Sequence, residues 1–265
     1  MTFKFKPAKP RKFKSAVPKP MINSDNSEAK LILTRIVIAA AVLVVAAGAV
    51  LGGIYLFGSG DNRKSVSNVS DSENNNAQLL RVVNKSNPLD KDYVPELVQK
   101  DGYRICPLAE KSLDNLLAAA KKENISLYVK YAFVSYNEQA KIYNAEYRKQ
   151  LSKGLTEVKA QAKTTVTIPQ AGRSEFQTGL MVSFRSREKG KFKNSNASDW
   201  LFKNAKKYGF VLRYPEDKED ITSMNVNYKS YRYVGESNAK VMQSLNMCLN
   251  EYSYYVNSRQ INTAK

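Results

Sequence analysis

The sequence contains no histidine. That absence removes Ser-His-Asp and Cys-His catalysis, and with them every metal centre built on imidazole. Cysteine is almost as scarce. The two thiols, Cys106 and Cys248, stand too far apart for a zinc knuckle or a CxxC redox motif. A Cys106–Cys248 disulfide and two separate buried thiols both stay open, because sequence alone does not fix pairing geometry. Tryptophan occurs once against 16 tyrosines, and 24 acidic residues face 42 Lys and Arg, a formal net charge of +18. The apolar share of 43% is enough for a core, and the length allows one or two domains. No repeat of solenoid period is present.

Long uncharged apolar runs are lacking except for one, Ile36 to Phe57, IVIAAAVLVVAAGAVLGGIYLF. At helical rise it extends about 33 Å, enough to cross a hydrocarbon core of about 30 Å. Lys and Arg dominate the stretch from Lys4 to Arg35, against only Asp25 and Glu28. This asymmetry predicts a single-pass cell-membrane anchor with a cytoplasmic N-terminus and an extracellular C-terminal domain. Ala47-Gly48-Ala49 has the form of a signal-peptide cleavage site, but the apolar run continues past it, which favours an uncleaved anchor. Residues 1–35 read as a basic disordered tail suited to anionic lipid, with no nucleic-acid role assigned. Residues 58–78, rich in Ser, Asn, Asp and Gly, read as a flexible linker. Residues 79–256 read as one domain and 257–265 as a C-terminal tail. The basic balance of the domain suits an anionic partner such as a phosphate-bearing wall polymer, or only a solvated surface.

Within the domain, helices and strands alternate irregularly. Pro107 to Glu123 has Pro at an early helical position followed by good helix formers. Ile125 to Val134 reads as a strand, and Ser135-Tyr136-Asn137-Glu138 matches a capping box that opens a helix to about Ser152. Met181–Arg185, Phe210–Arg213 and Tyr231–Val234 read as strands. A helix over Asp199–Tyr208 should close at Gly209, and a final helix should run from Glu236 to about Val256. This order predicts an α+β fold, a small antiparallel sheet flanked by helices and preceded by one transmembrane helix.

Four segments are motif-like: NKSNPLDKDYVPELV from Asn84, YAFVSYNEQ from Tyr131, AGRSEFQTGLMVSF from Ala171, and NAKKYGFVLRYP from Asn204 continuing to NYKSYRYVG from Asn227. In order and spacing, together with CLNEY at Cys248, they resemble VanY-type D-alanyl-D-alanine carboxypeptidases, zinc peptidases of the hedgehog/DD-peptidase fold. The resemblance implies specific site positions, and this chain departs from them. In the family's SEHxTGLAxD motif the His and Asp bind zinc; here those positions are Phe176 and Ser183. In ExxHYRYVG the Glu is the general base and the His a ligand; here they are Asn227 and Ser230. The YRSY motif carries an Arg that pairs with the substrate carboxylate; Val134 stands there.

Zinc needs about three good donors and an open position for water. Phe176 offers no lone pair, and serine hydroxyls are poor substitutes for imidazole and carboxylate. An Asn amide cannot take a proton from water near neutral pH. Val134 cannot hold a carboxylate. The expectation is therefore a pseudoenzyme with no intact catalytic residue and no zinc; an all-oxygen Mg or Ca site stays open, although no clustered loop of ligands marks one and no metal residues are assigned. Glu175 could in principle rebuild a site, but the matching family position is also Glu and does not bind zinc. Asp199 and Glu251 read as a helix-start charge and an exposed helix residue. Ser135, Gln139, Ser174, Gln177 and Tyr231 match the shell around the family's peptide groove, and so are candidates for holding a peptide. For Ser135 the competing role is a helix cap. The implied partners are a peptidoglycan stem peptide, an anionic wall polymer or a protein. The alternatives are an active D,D-carboxypeptidase or wall hydrolase with a non-standard site, and a scaffold in a membrane complex.

Overall fold

A computed structural model describes residues 74–263. The expected tail and transmembrane run, 1–57, and most of the linker lie outside the described residues. Among the described residues, no helix is long and apolar enough to cross a membrane.

The fold is α+β. A two-stranded antiparallel ribbon, β1 (Val98–Lys100) and β2 (Tyr103–Ile105), precedes a four-stranded sheet in the order β3-β4-β6-β5. Its strands are β3 (Tyr128–Tyr131), β4 (Met181–Arg185), β5 (Phe210–Tyr214) and β6 (Asn227–Tyr233), and every adjacent pair is antiparallel. The main helices are α1 (Pro107–Lys122), α2 (Tyr136–Leu151), α3 (Glu157–Thr165), α4 (Asn196–Asn204), the short α5 (Glu219–Thr222), α6 (Glu236–Ser244) and α7 (Leu249–Thr263).

Side-chain alternation along the strands divides the sheet into two chemically different faces. Val182 pairs with Tyr231 and, with Phe184, turns into the main core. There they meet Leu113, Leu116 and Ala120 of α1 and Trp200 and Leu201 of α4. The buried residues Ala109, Leu113, Leu116 and Ala120 recur at helical spacing, so α1 lays one apolar stripe on the sheet. Each fully buried Leu in that stripe contributes about 1.5–3 kcal/mol. The opposite face carries Met181 and Ser183 of β4 beside Ser230 and Arg232 of β6. It is the polar face, and the candidate site lies there.

Several expected boundaries shift. The segment 74–80 is helical although part of it was expected as linker; Asn238 Nδ2 donates to Asn76 Oδ1 at 2.9 Å and ties it to α6. The expected single C-terminal helix is two helices. Asn246 takes φ 51° between them, and Glu251 Oε2 accepts the Cys248 N–H at 2.8 Å, starting α7 afresh. That helix then continues past Val256 to Thr263, through the expected tail. Helix α4 begins earlier than expected because Ser195 caps it, accepting the Ser198 N–H at 3.1 Å. The close at Gly209 is as expected: φ is 76°, and an added Cβ would lie 2.8 Å from the Gly235 backbone, so only glycine fits. The Cys106–Cys248 disulfide is not formed. Both thiols are free and buried, Cys106 in the main core at the foot of α1 and Cys248 at the start of α7, and desolvation pushes both pKa values up.

Candidate functional site

Two β-bulges shape the polar face. Between β3 and β4 the register shifts so that Val129 faces Phe184 while Tyr131 faces Ser183. Between β5 and β6 it shifts between Leu212 and Tyr214. A bulge inserts one unpaired residue and re-aims its neighbours. Tyr131 and Tyr214, each beside one of these bulges, both line one cavity of about 80 Å³.

That cavity gathers most of the residues singled out from sequence. Val134, Gln139, Ser174, Phe176, Asn227 and Ser230 all line it. Ser183 lies directly beneath, paired across the strands with both Tyr131 and Ser230. The Phe176 ring tilts at 58° against Tyr131 with centroids 4.8 Å apart, an aromatic contact worth about 0.5–1.5 kcal/mol beyond its buried area. Burial pushes the Tyr131 phenol up, and its hydrogen bond with Ser183 partly offsets that. Where the sequence resemblance places a ligand set, the structure therefore has an aromatic pair and a hydroxyl–hydroxyl contact. Sequence reading gave Tyr131 no role, because its part depends on the bulge.

The remaining groove candidates separate. Gln139 donates to the Pro169 carbonyl at 2.6 Å and braces the loop that roofs the cavity. Ser174 Oγ is buried and without a hydrogen-bond partner among the described residues. Gln177 lies away from the cavity and accepts the Gly172 N–H at 2.7 Å. Tyr231 faces the main core, edge-on to Phe184 at 5.8 Å. Ser135 is the N-cap of α2: its Oγ accepts the Glu138 N–H at 3.3 Å, and Glu138 Oε2 accepts the Ser135 N–H at 2.8 Å and its hydroxyl at 2.6 Å. Those hydrogen bonds from Ser135 hold the Glu138 carboxyl below its ordinary range. Ser135→Ala is expected to lower stability by about 1 kcal/mol, and Ser135→Asp to recover most of it, as read by urea unfolding.

Glu175 lies outside the cavity lining and has become the centre of a buried ionic cluster. Arg213 meets it through two bonds, Nη2 to Oε1 at 2.7 Å and Nε to Oε2 at 2.8 Å. Arg232 Nη1 reaches Oε2 at 3.2 Å, and the Val83 N–H reaches Oε1 at 3.3 Å. Arg232 Nη2 in turn donates to the carbonyls of Gln78, Leu79 and Arg81. Burial alone would raise the Glu175 carboxyl. The two guanidinium charges and the hydrogen bonds from Arg213 and Val83 outweigh it and hold the group below its ordinary value. Asp199 lies in the first turn of α4, and Glu251 caps α7 while pairing with Lys218 at 3.1 Å.

A family model described as D-alanyl-D-alanine carboxypeptidase, VanY, matches residues 103–236. The putative carboxypeptidase YodJ of Bacillus subtilis (strain 168) is 33% identical over 196 residues, covering 67% of this chain and 68% of YodJ. The chain belongs to the VanY family. Among solved structures, VanYB in complex with D-alanine-D-alanine superposes with a TM-score of 0.62 at 31% identity, over 65% of this chain and 96% of that one. A mutant of the vancomycin-resistance D,D-pentapeptidase VanY in complex with Zn(II) gives a TM-score of 0.61 at 31% identity, over 66% and 98%.

The VanY zinc does not fit the residues present here. Among the described residues, no three His, Cys, Asp or Glu side chains come together as a metal-holding group. Around this cavity the side-chain oxygen donors are the hydroxyls of Ser174, Ser183, Ser230, Thr167, Tyr131 and Tyr214 and the amides of Asn227 and Gln139, none of them an anionic or imidazole ligand near neutral pH. Asn227 is further engaged through Oδ1, which accepts the Lys229 N–H at 3.1 Å.

Proposed function

We propose that this chain is a catalytically silent VanY protein that recognises a peptidoglycan stem peptide without cutting it. In this reading the run 36–57 anchors it in the cell membrane, with the basic N-terminus in the cytoplasm and the domain facing the wall. The observation that carries the proposal is chemical: at all five positions that the VanY resemblance assigns to metal, base and anion clamp stand Phe176, Ser183, Ser230, Asn227 and Val134. None of these can bind zinc strongly, deprotonate water or pair with a carboxylate.

The recognition half rests on likeness and on what the cavity keeps. VanYB takes D-alanine-D-alanine in its solved complex. Ser174 Oγ here is a buried hydroxyl with no partner among the described residues, lining the same cavity as Gln139. At about 80 Å³ the cavity is far smaller than the roughly 300–1,000 Å³ of ordinary ligand pockets. A peptide end therefore contacts the rim, or displaces the Phe176 ring to enter.

The test is calorimetric titration of the detergent-solubilised full chain with a muropeptide ending in D-Ala-D-Ala, with mass spectrometry of the same samples. Saturable heat with no free D-alanine is the expected result. Heat absent with peptides, sacculi and wall polymers would leave only a protein partner or a scaffold role. Release of D-alanine accompanied by about one metal ion per chain would establish an active enzyme with a non-standard site.

A further inference from the structure

We propose that a second cavity, beside the one at the VanY centre, binds a small oxyanion, either a carboxylate or a phosphate. It has a volume of about 240 Å³ and shares Pro169, Tyr214 and Met224 with the first as a common wall. Arg213, only 2% exposed, is one of its lining residues. Glu175 occupies Nε and Nη2 of that guanidinium, while Nη1 is buried with no hydrogen-bond partner among the described residues. A buried guanidinium N–H without an acceptor is costly, and such groups are normally satisfied.

Charge points the same way. Glu175 supplies one negative charge against two buried guanidiniums, Arg213 and Arg232, so the cluster keeps one uncompensated positive charge. The rest of the lining adds Lys85 and Arg173 and contains no Asp or Glu. Tyr214, pushed up to about 12 by burial, stays neutral and adds no competing charge. Ser86 offers a hydroxyl donor at the wall, whereas the Thr165 hydroxyl is already donated to the Gln161 carbonyl at 2.9 Å. A guanidinium whose Nη1 lacks an acceptor among the described residues, together with the cationic Lys85 and Arg173, matches a small oxyanion through charge-assisted hydrogen bonds. The site is independent of whether the neighbouring cavity turns over substrate.

The experiment uses the full chain in detergent at constant ionic strength with chloride as the balancing ion. Sodium acetate and inorganic phosphate are titrated separately by calorimetry, and the Arg213 Nε–Hε resonance is followed by NMR. Saturation at one site per chain, with movement of that resonance, is expected from at least one of them; acetate alone identifies a carboxylate site and phosphate alone a phosphate site. Arg213 variants will unfold the ionic cluster, so the decisive variant is the rim pair Lys85→Gln with Arg173→Gln, which leaves the Glu175 contacts in place. Removing both rim charges is expected to weaken binding about tenfold. Failure of both anions to saturate overturns the site. So does unchanged affinity in the rim variant with a static Arg213 signal, which would mark an adventitious ion only.

Discussion

Replacing five side chains should give this protein one tightly held zinc ion and the release of D-alanine from a peptide ending in D-Ala-D-Ala. The substitutions are Phe176→His, Ser183→Asp and Ser230→His for the metal, Asn227→Glu for the base and Val134→Arg for the substrate carboxylate. After equilibration with zinc and gel filtration, the natural chain should retain well below one zinc per chain, and the five-fold variant about one. The backbone favours this outcome. Ser183 and Ser230 are direct cross-strand partners, and Phe176, Asn227, Ser230 and Val134 line one cavity. The replacements therefore converge instead of scattering.

Controls follow from the chemistry. With the three ligands but still Asn227, the protein should bind zinc and release D-alanine at a rate lower by about 10²–10⁴, the usual contribution of a positioned base. Without metal, the new Asp faces the buried Tyr131 hydroxyl and lacks a cation, so apo variants should melt below the natural chain and be rescued by zinc. Stoichiometric zinc in the natural chain, with turnover, would show that hydroxyl and amide donors suffice.

What could be read from sequence, and what could not, divides along the range of the interactions. Ser135 and Glu138 lie three residues apart, and their reciprocal capping bonds form as the local pattern predicts. Gly209 is equally local, a helix end that needs a left-handed residue. The break at Asn246 was missed because the sequence from Glu236 onward keeps a helical composition; the cap that restarts α7 is a Glu251 carboxylate reaching back to Cys248. The gathering of Val134, Phe176, Asn227 and Ser230 around one cavity was legible because motif order carries it. Its filling was not: the Tyr131–Phe176 contact depends on a bulge between separate strands. The roles of Arg213 and Arg232 were also hidden, since their shared partner lies 38 and 57 residues away in sequence. In a chain so rich in Lys and Arg, composition cannot mark the two that are buried among the described residues.

Glu175→Gln should be among the most destabilising single changes in the domain, about 3–5 kcal/mol by urea unfolding, because it leaves two buried guanidiniums facing no anion. The loss should not stay local. Arg232 holds the carbonyls of Gln78, Leu79 and Arg81, and Glu175 itself holds the Val83 N–H, so the cluster fastens the segment entering the domain to the sheet. Amide exchange at residues 78–83 should therefore accelerate more than exchange in α1, whose buried face is apolar and does not touch the cluster's charges. The pH dependence has a definite sign. The folded carboxyl sits below its unfolded value of about 4.3, so its stabilisation is complete above that pH and is lost as pH falls through the lowered folded value. In the Gln variant that acid-side loss disappears, and the stability difference from the natural chain should shrink as pH drops below about 4. A difference that stays constant down to the acid unfolding transition would mean that Glu175 acts through shape and hydrogen bonding instead of charge.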